Sequence, residues 1–395
     1  MSVQTVIVSA ARTPIGKFGG ALKEASAVRL GGIAIRGAVE RAGIAGADVD
    51  KVIMGMVLQG GSGQNPARQA AFHGGLPWET AAEAVNKVCA SGLRAIAMAD
   101  QCIRAGDGEV IVAGGMESMS GALYALPGIR FGKRMGHDNL IDLMLRDGLT
   151  CPFGNAAMTE YGNSAAEQAG LTRYMQDDWA LRSHLRAVQA AESGIWAEEI
   201  VPVPLSGGGG MDQAAKDEAP RKDAGMEALS KLPSLFPGGT ITAGNAPGIC
   251  DGAAAVVCMS NERAGQSGTK PLGIILGHAE VALRPKEIAD APALALQKLL
   301  GKTGYTLPQI DRFEINEAFA AVVLKSGGIA GWNPEKVNVH GGAIALGHPI
   351  GASGARIIVT LLHELRRIGG GMGIAAICSG TGQGDAILIK VEKEG

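Results

Sequence analysis

The segment VNKVCASGLRAIAMAD, residues 85–100, places Cys89 directly before a small-residue turn and an amphipathic pattern. That pattern predicts a helix over residues 91–106, so Cys89 stands at its amino-terminal end. Unpaired N–H groups and the helix dipole favour a thiolate at such a position and lower the pKa of the thiol. Such a position would suit a nucleophile, which is one interpretation of Cys89. The alternative is a small apolar residue that fills the core, which is the commoner role of a free cysteine.

Three further segments carry side chains that suit nucleophilic catalysis. GGAIALGHPIGASG contains His348, either a loop histidine or the base that takes the Cys89 proton. ICSGTGQG contains Cys378, which either packs in the core or stands beside a glycine-rich turn whose N–H groups hold an oxyanion. INEAFAA contains Asn316, where a strand-like run ends. We expect the four segments to converge, and no histidine shows the spacing of a metal ligand.

The elements that would position these groups are short apolar runs that alternate with helical patterns. The predicted strands are TVIVSA (5–10), KVIMGMVL (51–58), EVIVAGG (109–115), AAAVVCMS (253–260), LGIILGHAEV (272–281), RFEINEA (312–318), MGIAAICS (372–379) and AILIKVE (386–392). The predicted helices cover residues 26–43, 91–106, 173–194, 293–304 and 354–369. This alternation predicts an α/β fold.

An internal repeat relates the two ends of the chain. ASGLRAI, residues 90–96, recurs as ASGARII, residues 352–358, and each copy leads through a helix into an apolar strand with a Gly/Ser loop. Two copies of one α/β unit would pack face to face and bring their equivalent loops together. We therefore expect a site shared by the two halves, because ligands often bind between domains.

Composition excludes several classes of protein. Lys plus Arg is 36 and Asp plus Glu is 38 among 395 residues, so the chain as a whole has no basic excess for nucleic acid. No apolar run reaches the ~18 residues of a membrane span. Six cysteines without a C-x-x-C pair suggest neither a zinc site nor a disulfide framework, which indicates a reducing compartment.

Several of these segments together resemble signatures of the thiolase family, most closely its acetoacetyl-CoA thiolases. They are VNKVCASGLRAI, VAGGMESMS, TAGNAPGICDGAAA, NEAFA, GGAIALGHPIGASGARI and CSGTGQG, in family order over nearly the whole chain. The resemblance implies a duplicated α/β core, layered αβαβα, with an inserted loop domain. We expect residues 1–119 plus 249–271 to form one core half, 272–395 the other, and 120–248 the inserted CoA-binding domain.

The resemblance also implies roles for single residues. Cys89 would carry the acyl group, His348 would deprotonate it, and Cys378 would move the proton on the α-carbon or the CoA thiol. Asn316 would hold a water that forms an oxyanion hole with His348. The N–H groups of Cys89 and Gly380 would form a second oxyanion hole.

By the same resemblance, CoA would lie on the inserted region, with its adenine and phosphates near Arg221. The other substrate-binding residues implied in this way are Met158, Phe236, Ala243, Gly244, Pro247, Ala318 and Phe319. Two features depart from many relatives, which have serine at Pro247 and His-Met-Gly at Ala157-Met158-Thr159. Both features lie in the expected CoA and acyl tunnel, so the preferred length of the acyl chain stays open.

The implied activity is the interconversion of two acetyl-CoA with acetoacetyl-CoA plus CoA, by ping-pong Claisen condensation through an acyl-cysteine. The alternatives are a broader 3-ketoacyl-CoA thiolase, a decarboxylating ketoacyl synthase of the same fold, and a non-catalytic acyl-CoA carrier. We expect no tightly bound cofactor beyond the CoA thioesters that serve as substrates, and no nucleic-acid or membrane partner. A cytoplasmic homodimer or homotetramer in lipid metabolism is implied, with residues 129–139 as the tetramer loop.

Overall fold

A computed structural model describes residues 3–205 and 212–393 of the chain. The strands are β1 (Thr5–Arg12), β2 (Gly16–Lys17), β3 (Lys51–Gly55), β4 (Ala81–Val85), β5 (Val110–Ser118), β6 (Tyr124–Ala125), β7 (Ile141–Asp142), β8 (Thr150–Cys151), β9 (Ala156–Ala157), β10 (Val203–Pro204), β11 (Gln213–Ala214), β12 (Cys250–Ser260), β13 (Gly273–Ala282), β14 (Arg312–Ile315), β15 (Gly371–Ser379) and β16 (Gln383–Val391). All eight predicted strands and the α/β class are confirmed.

The described residues form eleven α-helices, and the five that were predicted begin and end close to the predicted residues. The eleven are α1 (Ala27–Ala42), α2 (Pro66–His73), α3 (Ser91–Ala105), α4 (Met158–Gln168), α5 (Arg173–Glu192), α6 (Met226–Ser230), α7 (Asn261–Ser267), α8 (Ala291–Thr303), α9 (Ala320–Ala330), α10 (Ala343–Leu346) and α11 (Ser353–Arg367). The ends of α1 show the cause, because Ser26 caps its first turn and Gly43 leaves it with φ +67°. All five predicted helices are therefore present.

Two predicted strands end earlier than expected. β3 stops at Gly55 because Val57 and Leu58 donate their backbone N–H groups to the carboxylate of Glu117 rather than to a strand. β14 stops at Ile315, after which the N–H of Ala318 donates to the carbonyl of Asn316 in a tight turn. Both departures occur where the chain leaves the sheet.

The sheet repeats one topology in its two halves. The strand order is β14-β15-β16-β13-β1-β12-β5-β3-β4, with β2 paired to β12. In one half β3 runs parallel to β5, which pairs antiparallel with β12. In the other half β14 runs parallel to β15, which pairs antiparallel with β16. The helix before β5 is α3 and the helix before β15 is α11, so the repeated ASG segments occupy equivalent places.

The repeated helices form the middle of the molecule. α3 packs against α11, and both helices contact strands of the two halves, whereas α1 and α2 cover one outer face and α8 the other. The largest buried cluster joins Ile96 of α3, Ile358 of α11, Val256 of β12 and Ile377 of β15. The layers therefore run αβαβα.

The central segment departs from the core between two paired strands. Ser118 at the end of β5 pairs with Asp251 of β12, so residues 120–248 leave and re-enter the sheet at neighbouring positions. Besides the predicted helix α5, the described part of this segment contains α4 and α6. We propose the three-part division given above on this basis.

Candidate active site

Cys89 lies in the turn between β4 and α3 and is 9% exposed. The backbone N–H groups of Gly380 and of Cys89 itself point at its sulfur. Burial nevertheless raises the pKa of the Cys89 thiol to about 11, and the charge of Glu117 adds to the shift. The expected lowering of this pKa by the helix end is therefore wrong for the free enzyme, because two N–H groups do not offset the loss of solvent.

His348 lies in the loop between α10 and α11 and is buried. Its Nδ1 is 2.6 Å from the Oγ of Ser353, and that hydroxyl donates to the carbonyl of Pro349 at 3.0 Å. Because the hydroxyl has one proton and gives it to the carbonyl, Nδ1 is the protonated nitrogen of the ring and Nε2 keeps its lone pair. Burial, aided by the charge of Arg356, lowers the pKa of His348 to about 3. The ring is therefore neutral at pH 7 and can accept a proton at Nε2.

Asn316 follows β14 and is fully buried. Its Nδ2 is 3.5 Å from the Nε2 of His348, and its Oδ1 has no hydrogen-bond partner within residues 3–205 and 212–393. The backbone N–H of Asn316 donates to the carbonyl of Ala376 at 2.9 Å, which ties this loop to β15. The side chain of Asn316 thus presents a free carbonyl oxygen beside the imidazole.

The next residue holds the Asn316 loop in place. The buried carboxylate of Glu317 accepts hydrogen bonds from Trp179 Nε1 at 3.0 Å and Ser183 Oγ at 2.7 Å, both on α5. It also accepts from Asn338 Nδ2 at 2.9 Å and from the N–H of Ile344 at 3.0 Å, in α10. Glu317 therefore joins the inserted segment and the His348 loop to the loop that carries Asn316.

Cys378 lies near the end of β15 and is 1% exposed. Burial raises the pKa of its thiol, and the nearby Cys89 raises it further. At neutral pH Cys378 is therefore a protonated thiol that can give a proton and take one back. The following turn contains Gly380, whose N–H points at Cys89, and Thr381 at φ +70°.

A cavity of about 390 Å³ joins the two cysteines and His348, but Asn316 and Gly380 are not among its lining residues. Its lining includes Cys89, His348 and Cys378. The substrate-binding residues of the sequence prediction that also line it are Met158, Ala243, Pro247, Ala318 and Phe319. The remaining lining residues are mostly apolar: Met119, Leu145, Gly148, Leu149, Thr150, Ala157, Thr159, Leu235, Ala246, Gly248, Ile249, Ile288, Val322 and Ile350. The cavity can therefore hold an apolar chain with its end at the two cysteines.

Three of the predicted binding residues do not line this cavity. Gly244 packs against α6, where an added Cβ would lie 2.6 Å from Leu229 and from Leu232. Phe236 lies in a half-buried turn, and its neighbour Leu235 lines the cavity instead. Arg221 is exposed, so the predicted phosphate contact of its side chain stays a prediction.

The backbone that carries Arg221 is anchored from two sides. Its N–H donates to Nδ1 of His184 on α5 at 3.3 Å, and burial lowers the pKa of His184 to about 4, which keeps that lone pair available. Asp217 accepts two hydrogen bonds from Arg12 at 2.8 and 2.9 Å, and Glu218 accepts the N–H of Lys17 at 2.8 Å. Residues 217–221 are thus fixed between the core and the inserted segment.

Sequence reasoning missed Glu117, a fully buried acid of β5 whose charge acts on the Cys89 thiol. Its carboxylate accepts the N–H groups of Val57 at 3.1 Å, Leu58 at 3.2 Å and Gly351 at 2.9 Å. Burial raises the pKa of Glu117 to about 7. Glu117 belongs to the quoted segment VAGGMESMS, so a search of that segment for buried acids would have found it.

Comparison with known proteins finds family models and relatives that match this chain over nearly its full length. Residues 5–262 match the family description "Thiolase, N-terminal domain" and residues 269–391 match "Thiolase, C-terminal domain". The acetyl-CoA acetyltransferase of Escherichia coli is 48% identical over 98% of this chain and 98% of its own. That of Cupriavidus necator is 47% identical over 98% of each chain. The crystal structure of the Bacillus anthracis acetyl-CoA acetyltransferase superimposes with a TM-score of 0.97, at 41% identity over 99% of each chain.

Proposed function

This chain belongs to the thiolase family, and we propose that it is an acetyl-CoA C-acetyltransferase. The reaction interconverts two acetyl-CoA with acetoacetyl-CoA plus CoA. The observation that carries the proposal is that one apolar cavity holds Cys89, His348 and Cys378 together. A nucleophile, a neutral base and a second thiol are the groups that a thioester condensation needs. The names of the relatives agree with this reaction.

The first half of the reaction is acetyl transfer to Cys89. His348 Nε2 takes the thiol proton while the sulfur attacks the acetyl carbonyl. We expect the N–H groups of Cys89 and Gly380, which lie beside the sulfur, to donate to the oxyanion that develops on the acetyl carbonyl. The C–S bond to CoA breaks, and Cys378 gives its proton to the departing CoA sulfur.

The second half joins the two acetyl units. The Cys378 thiolate removes a proton from the α-carbon of a second acetyl-CoA, and His348, now protonated at Nε2, stabilises the enolate oxygen together with a water held by Asn316. The enolate carbon attacks the acetyl group on Cys89. Collapse of the intermediate releases acetoacetyl-CoA, and the proton on His348 returns to the Cys89 sulfur. Thiolysis follows the same steps in reverse.

Chain-length preference tests the proposed function. We expect CoA-dependent cleavage of acetoacetyl-CoA to have a kcat/KM at least about ten times that for 3-ketohexanoyl-CoA and 3-ketodecanoyl-CoA. Cys89→Ala provides the blank for non-enzymatic cleavage. Equal kcat/KM values along the series would favour the broader 3-ketoacyl-CoA thiolase. Met158 and Pro247, which depart from many relatives, line the cavity and leave that alternative open. No cleavage of any of these substrates would overturn the proposal.

A mutation of the base gives a second prediction. We expect His348→Asn to slow alkylation of Cys89 by iodoacetamide at pH 7 and to lower kcat by roughly 10²–10⁴-fold, because proton removal loses its acceptor. His363→Asn, on α11 outside the cavity lining, is the matched control. An unchanged alkylation rate in His348→Asn would contradict the role of His348.

The same alkylation assay has an expected pH dependence. Because burial raises the pKa of Cys89 to about 11, the thiolate fraction of the wild-type chain grows with pH throughout the range 6–9. In His348→Asn, where no neutral imidazole takes the proton, the alkylation rate should therefore rise across this range. A plateau within it would contradict the raised pKa.

We also propose a cytoplasmic homodimer or homotetramer that acts in lipid metabolism. All six cysteines are free thiols, as in proteins of reducing compartments. Within residues 129–139, Phe131 is 94% exposed and Met135 is 89% exposed, which supports contact of this loop with another subunit. Among the described residues, no helix has the length and apolar character needed to span a membrane.

A further inference from the structure

The two repeated Ala-Ser-Gly segments place two serines in equivalent positions. Ser91 is the first residue of α3 and Ser353 is the first residue of α11, and both are buried. Each hydroxyl donates backwards to a backbone carbonyl, Ser91 to Val88 at 2.6 Å and Ser353 to Pro349 at 3.0 Å. Each hydroxyl therefore has its lone pairs left to accept a hydrogen bond from a neighbour.

The accepted hydrogen bonds differ between the two halves. Ser353 accepts from the ring of His348 and so fixes its orientation. Ser91 accepts from the backbone N–H of Lys87 at 2.8 Å. Ser91 thus holds both ends of the Lys87–Val88 turn, which leads directly into Cys89. One serine of the repeat orients a side chain, and the other closes a backbone turn.

The turn that Ser91 closes is strained. Val88 has φ +47°, a left-handed conformation that a β-branched residue strongly disfavours. Besides Ser91, the Oδ1 of Asn86 accepts the N–H of Val88 at 3.0 Å, and the Oγ of Ser379 donates to the carbonyl of Lys87. Without such contacts the backbone would relax toward negative φ and turn the next peptide N–H, that of Cys89, away from its present direction.

Glycines keep the two helix starts in a fixed relation. A Cβ added to Gly92 would lie 2.8 Å from the backbone nitrogen of Ala355, and one added to Gly354 would collide with the backbone nitrogen of Leu93. The two segments therefore contact each other backbone to backbone. This packing fixes Ser91 relative to the half of the molecule that carries His348.

We propose that Ser91 is a positioning residue that holds Val88 in its left-handed conformation and so aims the Cys89 N–H and sulfur at the reacting carbonyl. The inference rests on the proposed function, because the reacting carbonyl is that of the acetyl thioester. Ser91 itself lies outside the cavity lining. It acts through the backbone of the turn.

Ser91→Ala tests this role. We expect kcat for acetoacetyl-CoA thiolysis to fall about 10- to 100-fold, since misdirected groups lose this much rate, while KM stays within about threefold. Ser9→Ala is the matched control. The hydroxyl of Ser9 is also buried and donates to a carbonyl, that of Ala38 at 2.5 Å, but away from the cavity. Far-UV circular dichroism gives the folded fraction by which each kcat is divided.

A double mutant separates positioning from a general structural effect. Glycine adopts positive φ readily, so in a Val88→Gly background the turn no longer needs Ser91 to resist strain. We expect Ser91→Ala to lower kcat less than about threefold in that background. The same fold loss with and without Val88→Gly would overturn the proposal, and so would a kcat of Ser91→Ala within twofold of the wild type.

Two further outcomes are distinguishable. If Ser91→Ala does not fold, Ser379→Ala removes the donor to the Lys87 carbonyl from the same turn. If kcat falls in Ser379→Ala and falls less in a Val88→Gly background, the proposal that these hydrogen bonds hold the turn is supported. An unchanged kcat in Ser379→Ala overturns it. A wild-type chain without thiolysis activity would overturn the proposed function and this inference together. An active wild type with Ser91→Ala indistinguishable from Ser9→Ala would overturn the inference alone.

Discussion

Acetyl-CoA labelled in its acetyl group is expected to leave its label on Cys89, and Cys89→Ala is expected to lose turnover by roughly 10⁴-fold or more. Of the two cysteines in the cavity, Cys89 has a backbone N–H of its own and that of Gly380 aimed at the sulfur. The same two donors suit the oxyanion that forms when this sulfur attacks a carbonyl. The label is located by digestion and mass spectrometry.

Because the pKa of Cys89 is raised, acetyl transfer to its sulfur needs a base that removes the thiol proton. Because burial raises the pKa of Cys89 to about 11, the thiol is almost wholly protonated at pH 7 in the free enzyme. Proton transfer to the neutral His348 during attack removes the need for a standing thiolate. In the proposed mechanism Cys89 is therefore activated in place and not ionised beforehand.

The control for the labelling experiment is Cys102→Ala. Cys102 lies on α3, the same helix that follows Cys89, but outside the cavity lining. We expect this variant to take up label and to turn over as the wild type does. Label on Cys378, or on no cysteine, would contradict the assignment of Cys89 as the acylated residue.

The sequence predicts the buried strands and capped helices closely because their signals are local. β5 and β12 are apolar runs bounded by turns, and α1 lies between a serine cap and a left-handed glycine. Two elements that prediction missed, β4 and α9, carry weaker signals of this kind. β4 reads AAEAV, is half exposed at the sheet edge and has one β-branched residue. α9 has apolar residues on all sides rather than along one face.

The residues of the candidate site also differ in how readily the sequence predicts them. Cys89, His348 and Cys378 stand in motifs whose residue types suit nucleophilic catalysis, so the sequence predicts them as site residues. Leu149 and Ile288 also line the cavity, but a leucine in a cavity wall has the same sequence pattern as a leucine in the core. The pKa of Cys89 was predicted in the wrong direction because desolvation comes from segments distant in sequence, which a single helix start does not reveal.

Cys378→Ala is expected to separate the two halves of the reaction. Acetylation of Cys89 should still occur, because the nucleophile, His348 and the N–H groups at the Cys89 sulfur remain, but more slowly, because the proton donor to the departing CoA sulfur is gone. Condensation and thiolysis should fall by roughly 10²–10⁴-fold, because the group that moves the α-carbon proton is gone. The measurement is hydrogen–deuterium exchange at the acetyl-CoA methyl group in D₂O, taken beside labelling of Cys89. The matched control is Cys258→Ala, a buried strand thiol outside the cavity lining.

This experiment also separates a thiolase from a decarboxylating synthase of the same fold. In such a synthase the carbanion forms by loss of CO₂, so no second cysteine has to remove a proton. A second thiol, that of Cys378, lies in the same cavity as Cys89 and can remove a proton from acetyl-CoA itself once it has given its own proton to CoA. Normal methyl exchange and condensation in Cys378→Ala would contradict that role and leave Cys378 as core packing. Loss of exchange with retained acetylation of Cys89 requires a base at Cys378, because no other step of the proposed cycle breaks the α-carbon bond to hydrogen.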